Sequence, residues 1–168
     1  MELLINKSTV ESYLNVAIGV SEKEFNTYIE EAQELDLKDI LREEFYVDLV
    51  INREEDKWKL LIEGGKYSYN DREYIFSGIG KVLSYFTYAR FILKGNITST
   101  SHGFVIKKTP HSEPINLEER RNFYYKYRED AFKIFEGVKK YIERKGDYPS
   151  FKEDCRKSYR PYKTRIIQ

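Results

Sequence analysis

The sequence has little of the chemistry that marks enzymes and metal proteins. Its 168 residues include one cysteine, Cys155, and two histidines, His102 and His111. A single cysteine excludes an intramolecular disulfide and is typical of proteins from a reducing compartment. A chain of this length needs no such crosslink, because it can bury roughly two thirds of its unfolded surface. We therefore expect one domain.

Long apolar runs are also absent. The longest strongly apolar, uncharged run is Val82–Ala89, and a membrane helix needs about 20 such residues. The first residues lack the charged start and apolar centre of a signal peptide. We therefore expect an intracellular protein with no membrane segment.

Some short segments approach chemical motifs without completing them. Phe76–Lys81 resembles part of a phosphate-binding loop, but Ile75 stands where the first glycine is required and Val82 follows the lysine. His102 and His111 have no cysteine or acidic residue at metal-ligand spacing. The sequence predicts no catalytic residue, no cofactor site and no metal site.

Charge is divided unevenly along the chain. Residues 1–56 carry 15 acidic and 5 basic side chains, whereas residues 57–168 carry 13 acidic and 24 basic ones, so the net charges are −10 and +11. Such a division permits head-to-tail contact between copies, or contacts with different partners at opposite ends. The alternative is a domain in which these charges mix in space.

Three segments combine a helix start with helical periodicity, which predicts a mainly α fold, a bundle of three to four helices. In the first segment Ser21 and Glu24 form the pattern of a capping box. The apolar spacing continues past Asp36, where we expect a break, into a second helix that runs to about Val50.

The other two predicted helices are longer. One begins at Asn70, with Glu73 as its capping partner, and ends at Gly95; apolar residues surround much of its circumference, so we expect it to be the central helix. The last begins at Asn116, with Glu119 in the capping-box position, and Gly146 ends it about 29 residues later. That length predicts a helix that runs along the whole domain.

The remaining sequence divides into connectors, an arm and a tail. Residues 52–69 form a connector whose Trp58, Leu60, Leu61 and Ile62 hold it to the core. Asn96–Ile115 is β-prone on either side of Ser101-His102 and predicts an extended arm or a small hairpin. The chain is thus predicted to consist of a helical domain over 1–146, including this arm, and a C-terminal tail over 147–168.

Two sets of residues are predicted to contact partners. The tail set is basic, aromatic and apolar: Arg156, Lys157, Tyr159, Arg160, Tyr162, Lys163, Arg165, Ile166 and Ile167. The arm set is predicted to contact neighbouring subunits: Ile97, Thr98, Phe104, Val105 and Ile106. Arginine beside tyrosine favours a groove on another protein, and it also suits nucleic-acid phosphates and stacked bases.

The order of segments along the chain allows a comparison. A short segment, Leu4–Lys7, precedes a helix that holds Tyr28–Leu35 and a short helix around Asp39–Asp48. An aromatic helix over Tyr74–Leu93 and a loop with Ser101–Val105 follow, before the long last helix and the tail. This order resembles the head–tail connector proteins (adaptor or ring proteins) of tailed bacteriophages, and most closely those of Bacteroidetes-infecting and crAss-like phages. The resemblance covers most of the chain.

The resemblance implies a structural virion protein without catalytic residues, assembled in the host cytoplasm and located at the head–tail junction. It implies a homo-oligomeric ring, commonly dodecameric, that docks on the portal protein and surrounds the DNA channel. Further tail or ring proteins are implied as neighbours, and passing genomic DNA is contacted without sequence specificity. The C-terminal segment of such proteins commonly reaches toward the portal, which maps onto residues 147–168.

Two other functions remain open from the sequence. The first is a small nucleic-acid-binding regulatory protein that uses the basic tail. The second is an enzyme whose site forms only between subunits.

Overall fold

The computed structural model describes residues 2–17, 19–95, 97–100, 103–106 and 116–151, with the backbone alone described for 97–100 and 103–106. The helices are α1 (Lys7–Glu11), α2 (Glu22–Ala32), a π-helical segment (Gln33–Leu37), α3 (Lys38–Leu41), α4 (Glu43–Ile51), α5 (Asp56–Glu63), α6 (Gly78–Lys94) and α7 (Leu117–Lys145). The strands are β1 (Gly65–Tyr69), β2 (Arg72–Phe76), β3 (Ile97–Thr100) and β4 (Gly103–Ile106). The mainly helical fold is confirmed. None of the helices in the described part of the chain is long and apolar enough to cross a membrane.

Helix α6 lies at the centre of the fold, as its apolar pattern predicted. It packs against α1, α2, α5 and α7. Its buried residues recur from Gly78 to Ala89, and the most extensive contact is with α7. The core therefore lies around one helix, with the longer α7 along its side.

The helix boundaries predicted from local capping at Ser21, Asn116 and Gly146 are confirmed. The side chain of Ser21 accepts a hydrogen bond from the backbone N–H of Glu24 at 3.2 Å, just before α2. Asn116 and Glu119 form a complete capping box at the start of α7. Gly146 ends α7 in the left-handed conformation, with φ 67°, which glycine adopts without steric cost.

The predicted break near Asp36 is wrong. The chain continues there as the π-helical segment, which buries Gln33, Asp36 and Leu37. The break falls at Arg42, whose φ of 67° separates α3 from α4. A π-helical segment adds a residue to the turn, so Asp36 is directed into the core instead of ending the helix.

The predicted helix start at Asn70 is also wrong. Asn70 and Asp71 have φ of 49° and 58° and form the two-residue turn of the β1–β2 hairpin, in which Tyr69 pairs with Arg72. Positive φ at both central residues is the geometry of the tight hairpin turn. The hairpin packs on the last part of α7, where the rings of Phe76 and Tyr141 stack with centroids 3.8 Å apart.

The connector predicted over residues 52–69 contains α5 and the first strand. Trp58 and Leu61 on α5 are buried, as expected. The end of α5 meets the start of α6 backbone to backbone, because a Cβ on Gly78 would lie 2.4 Å from the carbonyl oxygen of Ile62. Gly78 has a φ of 74°, so both its conformation and its surroundings require glycine.

The predicted arm contains a hairpin, in which β3 pairs antiparallel with β4 from Ile97↔Ile106 to Thr100↔Gly103. The other arm residues, and residues 152–168 of the predicted tail, lie outside the described part of the chain. The packed body continues beyond Gly146, because Tyr148 is 4% exposed and belongs to the core.

Candidate interaction surfaces

A buried carboxylate joins three elements of the body. The Asp36 side chain on the π-helical segment is 2% exposed. Its Oδ2 accepts a hydrogen bond from Nε of Arg90 on α6 at 2.6 Å, and its Oδ1 accepts one from Nη1 of Arg128 on α7. Burial by itself lowers the pKa of Arg90, but the hydrogen bond and the charge of Asp36 raise it above its ordinary value. The carboxylate therefore acts as the centre of a charged cluster inside the body.

Further contacts extend this cluster toward the end of α6. Glu31 lies 3.4 Å from Nη1 of Arg90 and 2.5 Å from Nζ of Lys94. The guanidinium of Arg128 lies over the rings of Tyr124 and Phe86, at 5.3 and 5.4 Å from their centroids. Cation–π contacts of this kind are worth more when they are partly desolvated. The cluster therefore fixes the middle of α7 on the π-helical segment and on α6.

Arg120 fastens the first turns of α7 to the last turns of α6. It is 4% exposed, and its Nε donates to the carbonyl oxygen of Ile92 at 2.8 Å. Its buried Nη2 has no hydrogen-bond partner, and burial lowers the pKa of Arg120. Since α6 leads into the arm and α7 follows it, this contact lies at the base of the arm.

Exposed apolar residues occur at the same end of α7. Leu117 and Tyr125 are 51% and 50% exposed. Arg121, which is also exposed, lies four residues from each of them, so the three side chains form one row on the helix. The predicted arm residues Ile97 and Thr98 lie on β3, and Phe104, Val105 and Ile106 lie on β4. The arm and this row therefore belong to one end of the molecule.

The tail leaves the body at the other end, beside α4. The rings of Tyr148 and Phe151 pack on Phe45, with centroids 6.1 and 5.2 Å away. The Tyr148 hydroxyl donates to the carbonyl oxygen of Lys57 at 2.9 Å, and burial is the main cause that raises the pKa of Tyr148. All nine predicted tail residues, from Arg156 to Ile167, come after the last described residue, Phe151. The body thus fixes where the tail begins, and the tail residues themselves lie outside the described part of the chain.

An open groove of about 390 Å³ lies beside this exit. It is lined by Ile142, Glu143, Gly146, Tyr148 and Phe151. Glu143 is the only titratable carboxylate among these lining residues, and Lys139 lies 3.5 Å from it. The groove offers contact area rather than a set of reactive groups.

Helix α4 has apolar residues on both faces, a feature absent from the sequence-based predictions. Phe45, Tyr46 and Leu49 are buried in the body. Val47 and Ile51 are 42% and 72% exposed on the other side. The signal was present in the sequence EEFYVDLVI, since a surface helix usually has one apolar stripe and one polar face.

The described residues contain no group of three or more histidine, cysteine, aspartate or glutamate side chains that could hold a metal ion. His102, His111 and Cys155 lie outside these residues. The expected lack of catalytic, cofactor and metal sites therefore stays a prediction.

The described fold is a mainly helical domain with two β-hairpins, a buried charged cluster and separate surfaces at its two ends. Residues 37–161 match the family described as DUF6712, a family of unknown function. The matched span is more than half of the chain and runs from the end of the π-helical segment into the tail. The chain belongs to this family. No curated protein and no solved structure matches the chain.

Proposed function

We propose that this chain is a subunit of the connector (adaptor) ring between the head and the tail of a tailed bacteriophage. In this role it is a structural protein of the virion that docks on the portal protein and surrounds the DNA channel. The observation that carries the proposal is the attachment of the arm and the tail at opposite ends of α7. This helix has 29 residues, which corresponds to about 43 Å at 1.5 Å per residue.

A ring built from one kind of subunit needs two different surfaces on each copy, because each copy meets its two neighbours through unlike patches. The arm end offers β3, β4 and the exposed row of Leu117, Arg121 and Tyr125. The tail end offers a basic, aromatic segment after Phe151. In the proposed ring the arm end contacts a neighbouring subunit and the tail reaches the portal.

The buried cluster suits this division of roles. Asp36 ties the π-helical segment to both long helices, and Arg120 holds the base of the arm. A force on the arm is therefore transmitted to the body rather than bending α7 away from α6. Structural proteins at a DNA channel need such stiffness, and they need only weak, sequence-independent contacts with DNA that slides past.

The resemblance to connector proteins supports the same role. The described elements keep the order on which the resemblance is based, with two differences. The short helix around Asp39–Asp48 is divided at Arg42 into α3 and α4. Tyr74–Phe76, at the start of the segment matched as a helix, belongs to β2. The long last helix and the hairpin before it are both present.

The test is co-expression with the portal protein encoded near this chain's gene, followed by electron microscopy of the purified complex. We expect a ring on the portal with the full chain. A variant that ends at Phe151 keeps the packed Tyr148 and is expected to fold but to lose portal binding. As the matched control, a variant with residues 97–106 replaced by a Gly/Ser linker should bind portal and fail to close a ring. Undiminished portal binding without residues 152–168 would refute the role of the tail, and absence of any ring with the full chain would refute the function.

A further inference from the structure

The outer face of α4 carries apolar side chains that the described residues leave partly or largely exposed. Val47 and Ile51 are four residues apart and 42% and 72% exposed, so they are neighbours on one row of the helix. The inner face of the same helix is already packed through Phe45 and Leu49. A helix with apolar residues around most of its circumference is expected to be covered on both sides.

Acidic residues surround this apolar pair. Glu43 lies one turn before Val47 in the same row, and Asp48 lies next to Val47 on the adjacent row. The contact of Glu43 with Lys38 is 3.8 Å long and largely exposed, and contacts of that kind contribute little. The face therefore fits an occupant that combines apolar side chains with positive charge.

The C-terminal segment of this chain has that composition. Residues 152–168 contain six basic and two acidic residues, and they end in Arg165-Ile166-Ile167-Gln168. The segment begins next to α4, since Phe151 packs 5.2 Å from Phe45. Its charge is opposite to that of the α4 face, and its two isoleucines match the apolar pair in size and character.

The geometry allows the segment to reach this face within one molecule. Seventeen residues span up to about 56 Å when extended. Helix α4 has nine residues, or about 13 Å. A segment tethered this close has an effective concentration in the millimolar range, which exceeds the micromolar concentration of a separate copy in dilute solution.

We propose that residues 152–168 dock on the outer face of α4 of the same molecule, with Ile166 and Ile167 on Val47 and Ile51 and with Arg165 beside the acidic residues. A partner that binds residues 152–168 therefore also exposes the outer face of α4. The inference concerns the free subunit and does not depend on the ring or on the portal, so its failure and theirs are observed separately.

The test uses the full chain in solution with one spin label at the end of the tail. Cys155→Ser removes the only cysteine, and Gln168→Cys provides the site for a nitroxide. We expect the label to broaden the backbone amide signals of Val47 and Ile51 selectively, at least several-fold more than that of Ile75. Ile75 is 77% exposed on β2 and reports broadening from an undocked tail.

Two substitutions provide matched variants. Ile51→Ser should abolish the selective broadening while the fold is kept, because exposed positions tolerate substitution. Ile75→Ser removes an equally exposed isoleucine from another surface and should leave it unchanged. Asp48→Lys should weaken the broadening, and Arg165→Glu in the same chain should restore part of it.

Three outcomes would overturn the proposal. Equal broadening across the whole surface would mean that the tail does not dock. Selective broadening at a different surface would mean that α4 is not its site. Full broadening of an isotope-labelled, nitroxide-free chain by an unlabelled chain that carries the nitroxide would assign the α4 face to the tail of a second copy.

Discussion

Replacing Asp36 with alanine removes the carboxylate that accepts hydrogen bonds from both Arg90 and Arg128. The Asp36 side chain is 2% exposed, that of Arg90 is 11% exposed and that of Arg128 is 25% exposed. The variant leaves two guanidinium groups without their shared carboxylate, and among the described residues Arg90 keeps an ion pair with Glu31 at 3.4 Å. We expect a large loss of stability from this one side chain.

The size of the loss follows from the contacts. Each hydrogen bond to a charged group contributes about 1.5–3 kcal/mol, and removal of one partner from a buried ion pair costs about 3–5 kcal/mol. Because Arg128 is partly exposed and Arg90 retains Glu31, the lower part of this range applies. We expect a loss of about 3 kcal/mol, or a fall in Tm of about 6–12 °C for a chain of this size.

Urea and thermal denaturation followed by circular dichroism measure this loss. Asp39→Ala is the matched control, because Asp39 is exposed only three residues further on, and it should change stability by less than about 0.5 kcal/mol. A triple variant, Asp36→Leu with Arg90→Met and Arg128→Met, should recover most of the loss, since apolar replacement of a whole buried ionic cluster is often neutral. A loss below about 1 kcal/mol for Asp36→Ala would refute the assigned role of the cluster.

Three further predictions concern other parts of the body. Gln33→Leu removes the hydrogen bonds of a fully buried amide with Leu4, Glu2 and Tyr46. We expect the free energy of unfolding to fall by about 2 kcal/mol, and hydrogen-exchange measurements should show faster amide exchange before α1. Gly78→Ala should destabilise the fold because the new Cβ would clash with the backbone. Gly137→Ala should raise stability by about 0.5–1 kcal/mol in the same urea titration, because its Cβ would meet no other part of the fold within 4 Å. Burial raises the pKa of Tyr148. Its contribution to the free energy of unfolding is therefore complete below about pH 10, the pKa of tyrosine in the unfolded chain, and is lost as the pH rises further. Tyr148→Phe should make the fall in Tm above pH 10 shallower, and an unchanged slope would contradict this.

Helix ends that depend on neighbouring residues could be predicted from the sequence. Ser21 and Asn116 accept the hydrogen bonds that their capping patterns indicated. Gly146 ends α7 because only a left-handed residue satisfies that position without strain. These signals involve residues close together in the chain, so these helix ends could be predicted from the sequence alone.

The β1–β2 hairpin could not be distinguished by local signals alone. Asn70 is a good helix N-cap, but asparagine is also favoured in a turn with positive φ. The choice depends on Tyr67 and Phe76, which pack against Tyr141 on α7 with centroids 5.0 and 3.8 Å away. That contact is distant in the sequence, and it favours the strand over the helix in this segment.

The charged cluster depends on the π-helical segment, a deviation from regular α-helix that no residue pattern predicted. Asp36 reaches Arg90 and Arg128 only because the π-helical segment turns its side chain inward. On the assumption of a regular α-helix, Asp36 is expected to be a polar residue at a helix break, and that is what the sequence predicted. The arm and the tail were predicted by composition, whereas the cluster, to which the proposed function assigns the stiffness of the body, was not. If the cluster, which holds the middle of α7, also stabilises the arm end of that helix, Asp36→Asn should weaken ring closure in the co-expression test. Portal binding through the tail should continue, because Tyr148 at the start of the tail packs separately on Phe45 and Trp58. Equal loss of both activities would mean that the cluster supports the fold as a whole and has no separate role at the arm.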